Sequence, residues 1–391
     1  MSVASYYLGS ENAPRPTQKN HLGANCLVIW NNRLLLEQRS DCDRWGLPGG
    51  GVKRGESPAQ AVIRELYEET GLRVKEGDLL SLKFYDDPVR IAAYRDGSVW
   101  RMYIKLYALY LDKTPEMIIS RESKSLRFFT ADELQTVEIV KTHKDLVSDY
   151  LCLLPGISEE RALSYLQRDE PMNIDMLEPI RRGHAKLLYT GDDGVLLIET
   201  KSNAPMISTE NAEIAEKILP MVRGADILVV HRPHEFVPAK KVLHFSGRES
   251  CYQASFPEKT LFPVWGDIRP LDESYLSVFV AHYGLAHGDE DYGRELLANG
   301  VFGQFIDGEL AGFIGTHIEG AIGMLEVFEP YRRRGIGENL EKFMLNYWHE
   351  KGAIPFGQIF ASNEKSLNLQ KKLGAVFSAP TLCWVWNRDS E

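Results

Sequence analysis

The stretch Gly50-Gly-Val-Lys-Arg-Gly-Glu56-Ser57-Pro58-Ala-Gln60-Ala-Val62-Ile-Arg64-Glu65-Leu66-Tyr-Glu68-Glu69-Thr-Gly71-Leu72 reads as a loop, one short helix and a second loop. Ser57 is a helix N-cap, Pro58 fits the first helical position, and Gln60 completes a capping box with Ser57. Gly71 can take the left-handed conformation that closes a helix C-terminus. At about 100° per residue, Glu65, Glu68 and Glu69 fall within roughly 100° of one another on one face, their Cβ atoms about 5–6 Å apart. Val62 and Leu66, one turn apart, face the core. Three carboxylates so close repel one another, and only Glu69 has a cation one turn on, Arg73. A solvated acidic helix face would tolerate this. A hard divalent cation would resolve it, and Mg²⁺ (or Mn²⁺) takes oxygen ligands and shares them with substrate phosphates.

The spacing G-x5-E-x7-R-E-U-x-E-E-x-G-U, with U aliphatic, is matched here at every fixed position. In this the stretch resembles the Nudix box. The resemblance implies that Glu65, Glu68 and Glu69 hold the metal, that Glu56 pairs with Arg64 to orient the helix, and that Gly50 and Gly71 serve backbone geometry. It implies hydrolysis of a nucleoside diphosphate linked to another group. The metal polarises the phosphoryl oxygens and lowers the pKa of a bound water. Glu122 precedes Arg127-Phe128-Phe129, and many Nudix enzymes carry a further carboxylate at about this place, as an extra metal ligand or general base.

The chain has 391 residues, room for two or three domains. Hydrophobic residues make up 44% and charged residues 26%, as in ordinary globular proteins. The five cysteines lack C-x-x-C spacing, which points to a reducing cytoplasm rather than a disulfide framework or a zinc site. The first residues are polar with no apolar h-region, so no signal peptide is expected. No apolar run reaches transmembrane length. A net charge of −10 argues against a whole-chain footprint for nucleic acid or anionic membrane.

Residues 1–20 read as a tail or an extended lead-in strand. Ala24–Trp30 and Arg33–Arg39 flank Asn31-Asn32, a pair able to reach positive φ, and form a hairpin. Leu79–Tyr85 and Met102–Leu111 have strand character, and Val137–Leu151 reads as a terminal helix before the boundary at Leu154-Pro155-Gly156. From Ile157 to about Pro263 the chain is an α/β mixture, with a hairpin over Leu187–Ile198, a helix over Asn211–Met221 and a buried strand at Ile227–Val230. The His231/His234 pair there is expected to be ordinary structure.

Further on, Phe302–Ile306 and Glu309–Ile314 form a hairpin about Asp307-Gly308. Then comes Gly323-Met-Leu325-Glu326-Val327-Phe328-Glu-Pro-Tyr-Arg332-Arg333-Arg334-Gly335-Ile336-Gly337, leading into a helix. Glycines let the backbone approach an anion, and the unpaired N–H groups of a helix start point at it. Phe360-Ala-Ser-Asn363-Glu-Lys-Ser366-Leu-Asn-Leu369-Gln370-Lys-Lys-Leu373-Gly374 follows. Together these resemble motifs A and B of the GNAT acyltransferases over about Asp267–Trp386. The resemblance implies that the backbone of Leu325, Glu326 and Val327 pairs with the pantetheine arm of acetyl-CoA. It implies that Arg332, Arg333, Arg334, Gly335, Ile336 and Gly337 hold the pyrophosphate, and that Asn363 and Ser366 lie on the cofactor side. Where many relatives place a tyrosine as general acid, this chain has Gln370, which cannot serve as one.

The expected architecture is thus an α/β multidomain chain: a Nudix α/β/α sandwich over 1–153, a degenerate GNAT-like half over 154–263 and an acetyl-CoA-binding GNAT domain over 264–391. The expected function is Mg²⁺-dependent hydrolysis of a nucleoside diphosphate derivative, joined to transfer of an acetyl group to an amine acceptor. The expected partners include neither nucleic acid nor membrane. Two alternatives stay open: a Nudix domain that senses a nucleotide and regulates the acyltransferase, and a GNAT part that binds CoA without transferring.

Overall fold

The computed structural model describes residues 5–113, 115–120, 123–284 and 289–387. One unit comprises Met1–Ser158 with Tyr189–Gly191 and Glu213–Arg223; the other comprises Glu159–Leu188, Asp192–Ala212 and Gly224–Glu391. The first unit runs β1 (Ser5–Leu8), β2 (His21–Trp30), β3 (Arg33–Arg39), β4 (Trp45–Gly46), β5 (Gly49–Gly51), α1 (Pro58–Thr70), β6 (Leu80–Tyr85), β7 (Arg90–Ala93), β8 (Val99–Leu111), β9 (Ser123–Phe129), α2 (Ala131–Leu134) and α3 (Lys144–Ser148).

Asn31 and Asn32 take φ of 47° and 59°, the two left-handed positions a tight turn between β2 and β3 requires. The sheet order is β1-β7-β8-β2-β3-β4, with β5 also on β2, β6 on β8 and β9 on β3. At its centre β2 and β8 pair in parallel from His21–Met102 to Trp30–Leu111. Ala24, Cys26 and Val28 alternate along β2 and meet Ala59, Val62 and Leu66 of α1 in one core. The lead-in residues include a strand, since β1 pairs with β7.

The helix expected over Val137–Leu151 is broken. Trp45 N–H donates to Glu138 O and Val140 N–H donates to Trp45 O, so this backbone is pledged to β4. Only α3 and short 3₁₀ turns at Lys141–His143 and Leu151–Leu153 are helical. The place of Glu122 lies outside the described residues.

The chain continues through α4 (Glu159–Leu166), α5 (Glu170–Arg181), β10 (Ala185–Gly191), β11 (Gly194–Glu199), β12 (Ala204–Thr209), α6 (Ala212–Ile218), β13 (Ile227–Val230), α7 (Phe236–Leu243) and β14 (Gly247–Ser255). After these come β15 (Asp267–Pro270), α8 (Leu276–His282), α9 (Glu290–Gly300), β16 (Val301–Ile306), β17 (Glu309–Thr316), β18 (Ile322–Val327), α10 (Ile336–Glu350), β19 (Phe356–Phe360), α11 (Glu364–Lys372), β20 (Val376–Phe377) and β21 (Leu382–Trp386).

The four strands β15-β16-β17-β18 form one antiparallel sheet, and a second sheet contains the order β11-β12-β13-β21-β14-β19. The last strand of the chain, β21, lies between β13 and β14, while β14 lies between β21 and β19. Strands from before and after residue 263 therefore alternate in one sheet. Strands β18 and β19 end their respective sheets. They come close where a Cβ on Gly357 would stand 2.9 Å from Ile322 O, yet they share no ladder.

Candidate active sites

Helix α1 is built as its sequence requires. Ser57 Oγ accepts from Gln60 N–H, Gln60 Oε1 accepts from Ser57 N–H, and Gly71 closes the helix at φ 76°. Arg64 is the hub of its polar face. Its Nε and Nη2 donate to the Glu56 carboxylate at 2.7 and 3.0 Å, its Nη2 also reaches Gly51 O, and its Nη1 donates to Glu65 at 2.6 Å and Glu68 at 3.2 Å. The Arg64 hydrogen bonds, with the Lys53 N–H added, hold the Glu56 carboxyl down at about 2.

Glu65 lies directly on the β5 backbone: a Cβ on Gly50 would sit 2.4 Å from its Oε1, so any larger residue there would push the Glu65 carboxylate aside. Glu69 is 7% exposed and accepts from Gly49 N–H at 2.8 Å. Burial, with the charges of Glu37 and Glu65 added, raises its carboxyl well above the usual range. Glu68 is half exposed.

Glu37 on β3 was not picked out from the sequence. It is 2% exposed, accepts from Ser123 Oγ at 2.7 Å, and lies 3.5 Å from Arg39 Nη1. A signal existed: Glu37 directly follows the apolar run Leu34-Leu35-Leu36 within one strand, where an acid is unusual unless paired, and Arg39 stands two residues on, on the same face of the strand. Nearby, half-buried His143 accepts from Leu47 N–H at 3.1 Å, and its pKa is lowered to about 3 by desolvation, with Arg39 and Arg90 assisting.

In the second unit, β18 forms a ladder with β17 on one side only among the described residues, and on the other edge Arg332 already holds the Val327 carbonyl, which leaves the edge at Leu325 for an extended ligand. Met324 takes φ 59° at a bulge in this strand. Gly335, at φ 78°, is the N-cap of α10, and no side chain caps that helix. Its first N–H groups are thus available to an anion. Arg332 is turned back onto β18, with Nε on Val327 O at 2.9 Å and Nη2 on Glu326 at 3.0 Å. That leaves Arg333 and Arg334 as the side chains of the loop not tied to β18. Asn363 caps α11, accepting from Ser366 N–H. Gln370 is buried and donates to Glu341 at 2.8 Å, so it is committed to the interior.

The NUDIX domain family model matches residues 19–150, and that of the acetyltransferase (GNAT) family matches residues 267–375. The nucleoside triphosphatase NudI of Enterobacter sp. is 29% identical over 29% of this chain and 85% of its own length. An RNA pyrophosphohydrolase of Francisella philomiragia is 34% identical over 27% of this chain and 72% of its own length. The chain belongs to the Nudix family. A GNAT acetyltransferase domain follows in the same chain, and the whole is an enzyme of both classes. Other RNA pyrophosphohydrolases, from Azorhizobium caulinodans and Psychromonas ingrahamii, are matched over 44% and 32% of their length. Among solved structures, a Drosophila protein aligns over 50% of this chain and 74% of its own at 16% identity and a TM-score of 0.42.

The Nudix donor set suits a hard cation. Glu37, Glu65 and Glu69 concentrate negative charge at a desolvated point, which costs stability unless a cation or proton balances it. As the side chains stand, Arg64 supplies the balance for Glu65 and Glu68, and no three His, Cys, Asp or Glu side chains among the described residues are grouped at metal-ligand spacing. His231 is structural: its Nδ1 lies 2.8 Å from Ile207 O and its Nε2 lies 2.8 Å from Asp175, with both side chains fully buried. No helix among the described residues is long and apolar enough to cross a membrane.

Proposed function

We propose that this chain hydrolyses a nucleoside diphosphate linked to another group, in a Mg²⁺- or Mn²⁺-dependent reaction of its Nudix domain. Its GNAT part transfers an acetyl group from acetyl-CoA to an amine acceptor, with residues 154–263 serving as a GNAT-like half that supports residues 264–391. Glu65, Glu68 and Glu69 would hold the metal, which when bound polarises phosphoryl oxygens and acidifies water. Arg64, fixed by Glu56, orients α1 so that these carboxylates face the β5 loop, and Glu122 is the candidate for a further carboxylate. The observation that carries the reading is the buried Glu69, raised by burial and by Glu37 and Glu65, on a helix where Arg64 already pairs with Glu65 and Glu68.

For the second activity, the edge open at Leu325 and the uncapped start of α10 support acetyl-CoA, with Arg332–Gly337 at the pyrophosphate and Asn363 and Ser366 beside the arm. The five free cysteines support a reducing, cytoplasmic setting.

Several relatives are named RNA pyrophosphohydrolases, so a pyrophosphate linkage carried on RNA is a second substrate class. The net charge of −10 disfavours a long nucleic-acid tract. A panel of nucleoside triphosphates, nucleotide-sugar and dinucleoside diphosphates and a 5′-triphosphorylated oligonucleotide, each with Mg²⁺, tests both. Turnover of a free nucleotide diphosphate derivative supports the first reading, turnover of the oligonucleotide alone replaces it, and no turnover removes both. A regulatory Nudix module predicts instead that a nucleotide shifts acetyl-CoA affinity and the reverse, by the same factor.

A further inference from the structure

The turn between β3 and β4 holds a carboxylate that lies outside the Nudix box. Arg39 N–H donates to Arg44 O and Asp43 N–H donates to Arg39 O, so residues 39–44 close on themselves. Within that turn Asp41 grips Arg39 at two points. Arg39 Nε donates to Asp41 Oδ1 at 3.0 Å and Nη2 donates to Oδ2 at 2.9 Å. This is the fork-on-carboxylate pairing that makes an arginine ion pair directional as well as strong. The third nitrogen, Nη1, lies 3.5 Å from Glu37 Oε1, at the outer limit of a hydrogen bond. Both partners of the grip are largely covered, with 27% of the Arg39 side chain and 18% of the Asp41 side chain exposed. Burial pushes the Asp41 carboxyl up, yet the Arg39 hydrogen bonds and charge outweigh it and hold the carboxyl below its usual range.

A tyrosine 35 residues upstream completes the arrangement: Tyr6 OH donates to Asp41 Oδ2 at 3.3 Å. The ladder of β1 on β7, with Tyr6 opposite Ala92, fixes where that hydroxyl stands. The stem of Arg39 is walled in as well, since a Cβ on Gly46 would come 3.3 Å from Arg39 Cδ. Arg39 thus has two carboxylates in reach and a geometry that favours Asp41. Glu37 is the other, 2% exposed, and its charge adds to burial in raising the Glu69 carboxyl. A guanidinium closed fully onto Glu37 would set a fixed positive charge beside Glu69, where it repels a divalent cation.

We propose that Asp41 and Tyr6 are positioning residues of the hydrolase site. They hold Arg39 back from Glu37 and so keep the Glu37 charge in play for the divalent cation. The proposal rests on the reading of Glu65, Glu68 and Glu69 as the metal-holding face. Neither Asp41 nor Tyr6 touches metal or substrate; both act through Arg39. The lead-in strand β1 is therefore a working part of the site and not a tail.

The test is the Mn²⁺ affinity of the full chain without substrate, followed by electron paramagnetic resonance of the free ion. Asp41→Asn keeps the side-chain shape and loosens the grip. It should weaken Mn²⁺ binding about tenfold, the low end for groups behind a metal's own ligands. Loss of a nearby negative charge also weakens cation binding by itself, so the same substitution is made with Arg39→Gln already in place. With no guanidinium to release, Asp41→Asn should then change the affinity by less than about threefold, a departure from additivity that marks coupled residues. Tyr6→Phe alters no charge and should weaken Mn²⁺ binding about two- to threefold. That variant decides the matter alone if urea unfolding shows that Asp41→Asn does not fold. Parental affinity in Asp41→Asn, an equal loss from it with and without Arg39, or parental affinity in Tyr6→Phe would each overturn the proposal while leaving the metal site standing. A parent chain that binds no Mn²⁺ would remove the metal-holding reading and this proposal with it.

Discussion

Gln370 Nε2 donates to Glu341 Oε1 at 2.8 Å across the interface of α11 and α10, and both residues are buried. Burial raises the Glu341 carboxyl to about 7, and the Gln370 hydrogen bond opposes the rise. The folded pKa therefore lies above the unfolded one. Below about pH 4.5 both states hold the proton and Glu341 costs nothing. As pH rises from there to about 7, the unfolded state loses its proton first and stability falls, by about 3 kcal/mol at most. Glu341→Gln should be more stable than the parent at pH 8 and close to it at pH 4.5, measured by urea unfolding of each protein at both values. An equal difference at the two pH values would show that Glu341 does not titrate this way.

The same bond removes Gln370 from the chemistry. Gln370→Ala should destabilise the fold by about 1–3 kcal/mol, because it strands a buried acceptor. Acetyl transfer per folded molecule should stay within about twofold of the parent. A loss of kcat at full folding would place Gln370 back in the reaction.

At the loop proposed to hold the pyrophosphate, a Cβ on Gly337 would meet Val327 at 3.5 Å and Leu325 at 3.7 Å, ordinary contact. The fold can accept alanine there, so any loss of binding reports on the ligand. Gly337→Val, with two more carbons over the loop, should weaken acetyl-CoA binding by more than about tenfold by calorimetry. Equal affinity would mean that the start of α10 is not the pyrophosphate site.

Glu37 adds negative charge beside Glu69 without being part of the box. Glu37→Gln should weaken Mn²⁺ binding about tenfold, the low end for groups behind a metal's own ligands, and should leave some hydrolysis. Unchanged Mn²⁺ affinity would confine Glu37 to tying β3 to Ser123.

Much of this was legible locally. Ser57, Gln60 and Gly71 dictate their helix by nearest-neighbour hydrogen bonding, Asn31-Asn32 and Asp307-Gly308 dictate their turns, and the Gly335 loop announces a helix start. What the sequence hid depends on distant partners. The Val137–Leu151 pattern looks helical until Trp45 claims its backbone. Glu37 is acidic in an apolar strand, and only the arrival of Glu69 from α1 gives it meaning. Nothing local in Leu382–Trp386 says that it will lie between β13 and β14.

That last placement has its own consequence. Residues 264–391 alone would leave β19 and β21 without β14, exposing strand edges that aggregate. Residues 154–391 should fold and bind acetyl-CoA, while 264–391 should be insoluble or bind at least tenfold more weakly. A well-folded, fully binding short form would contradict this.

The most direct measurement is hydrolysis of the nucleotide diphosphate panel with Mg²⁺ by the full chain and by Glu68→Gln. Glu68 is half exposed and its substitution keeps the shape of α1, so the fold should be unaffected. The parent should turn over at least one substrate only when Mg²⁺ or Mn²⁺ is present, and Glu68→Gln should lose about a hundredfold or more in kcat. Undiminished turnover in the variant, or metal-independent turnover in the parent, would contradict the assignment of Glu65, Glu68 and Glu69 as the metal-holding face of a Nudix hydrolase.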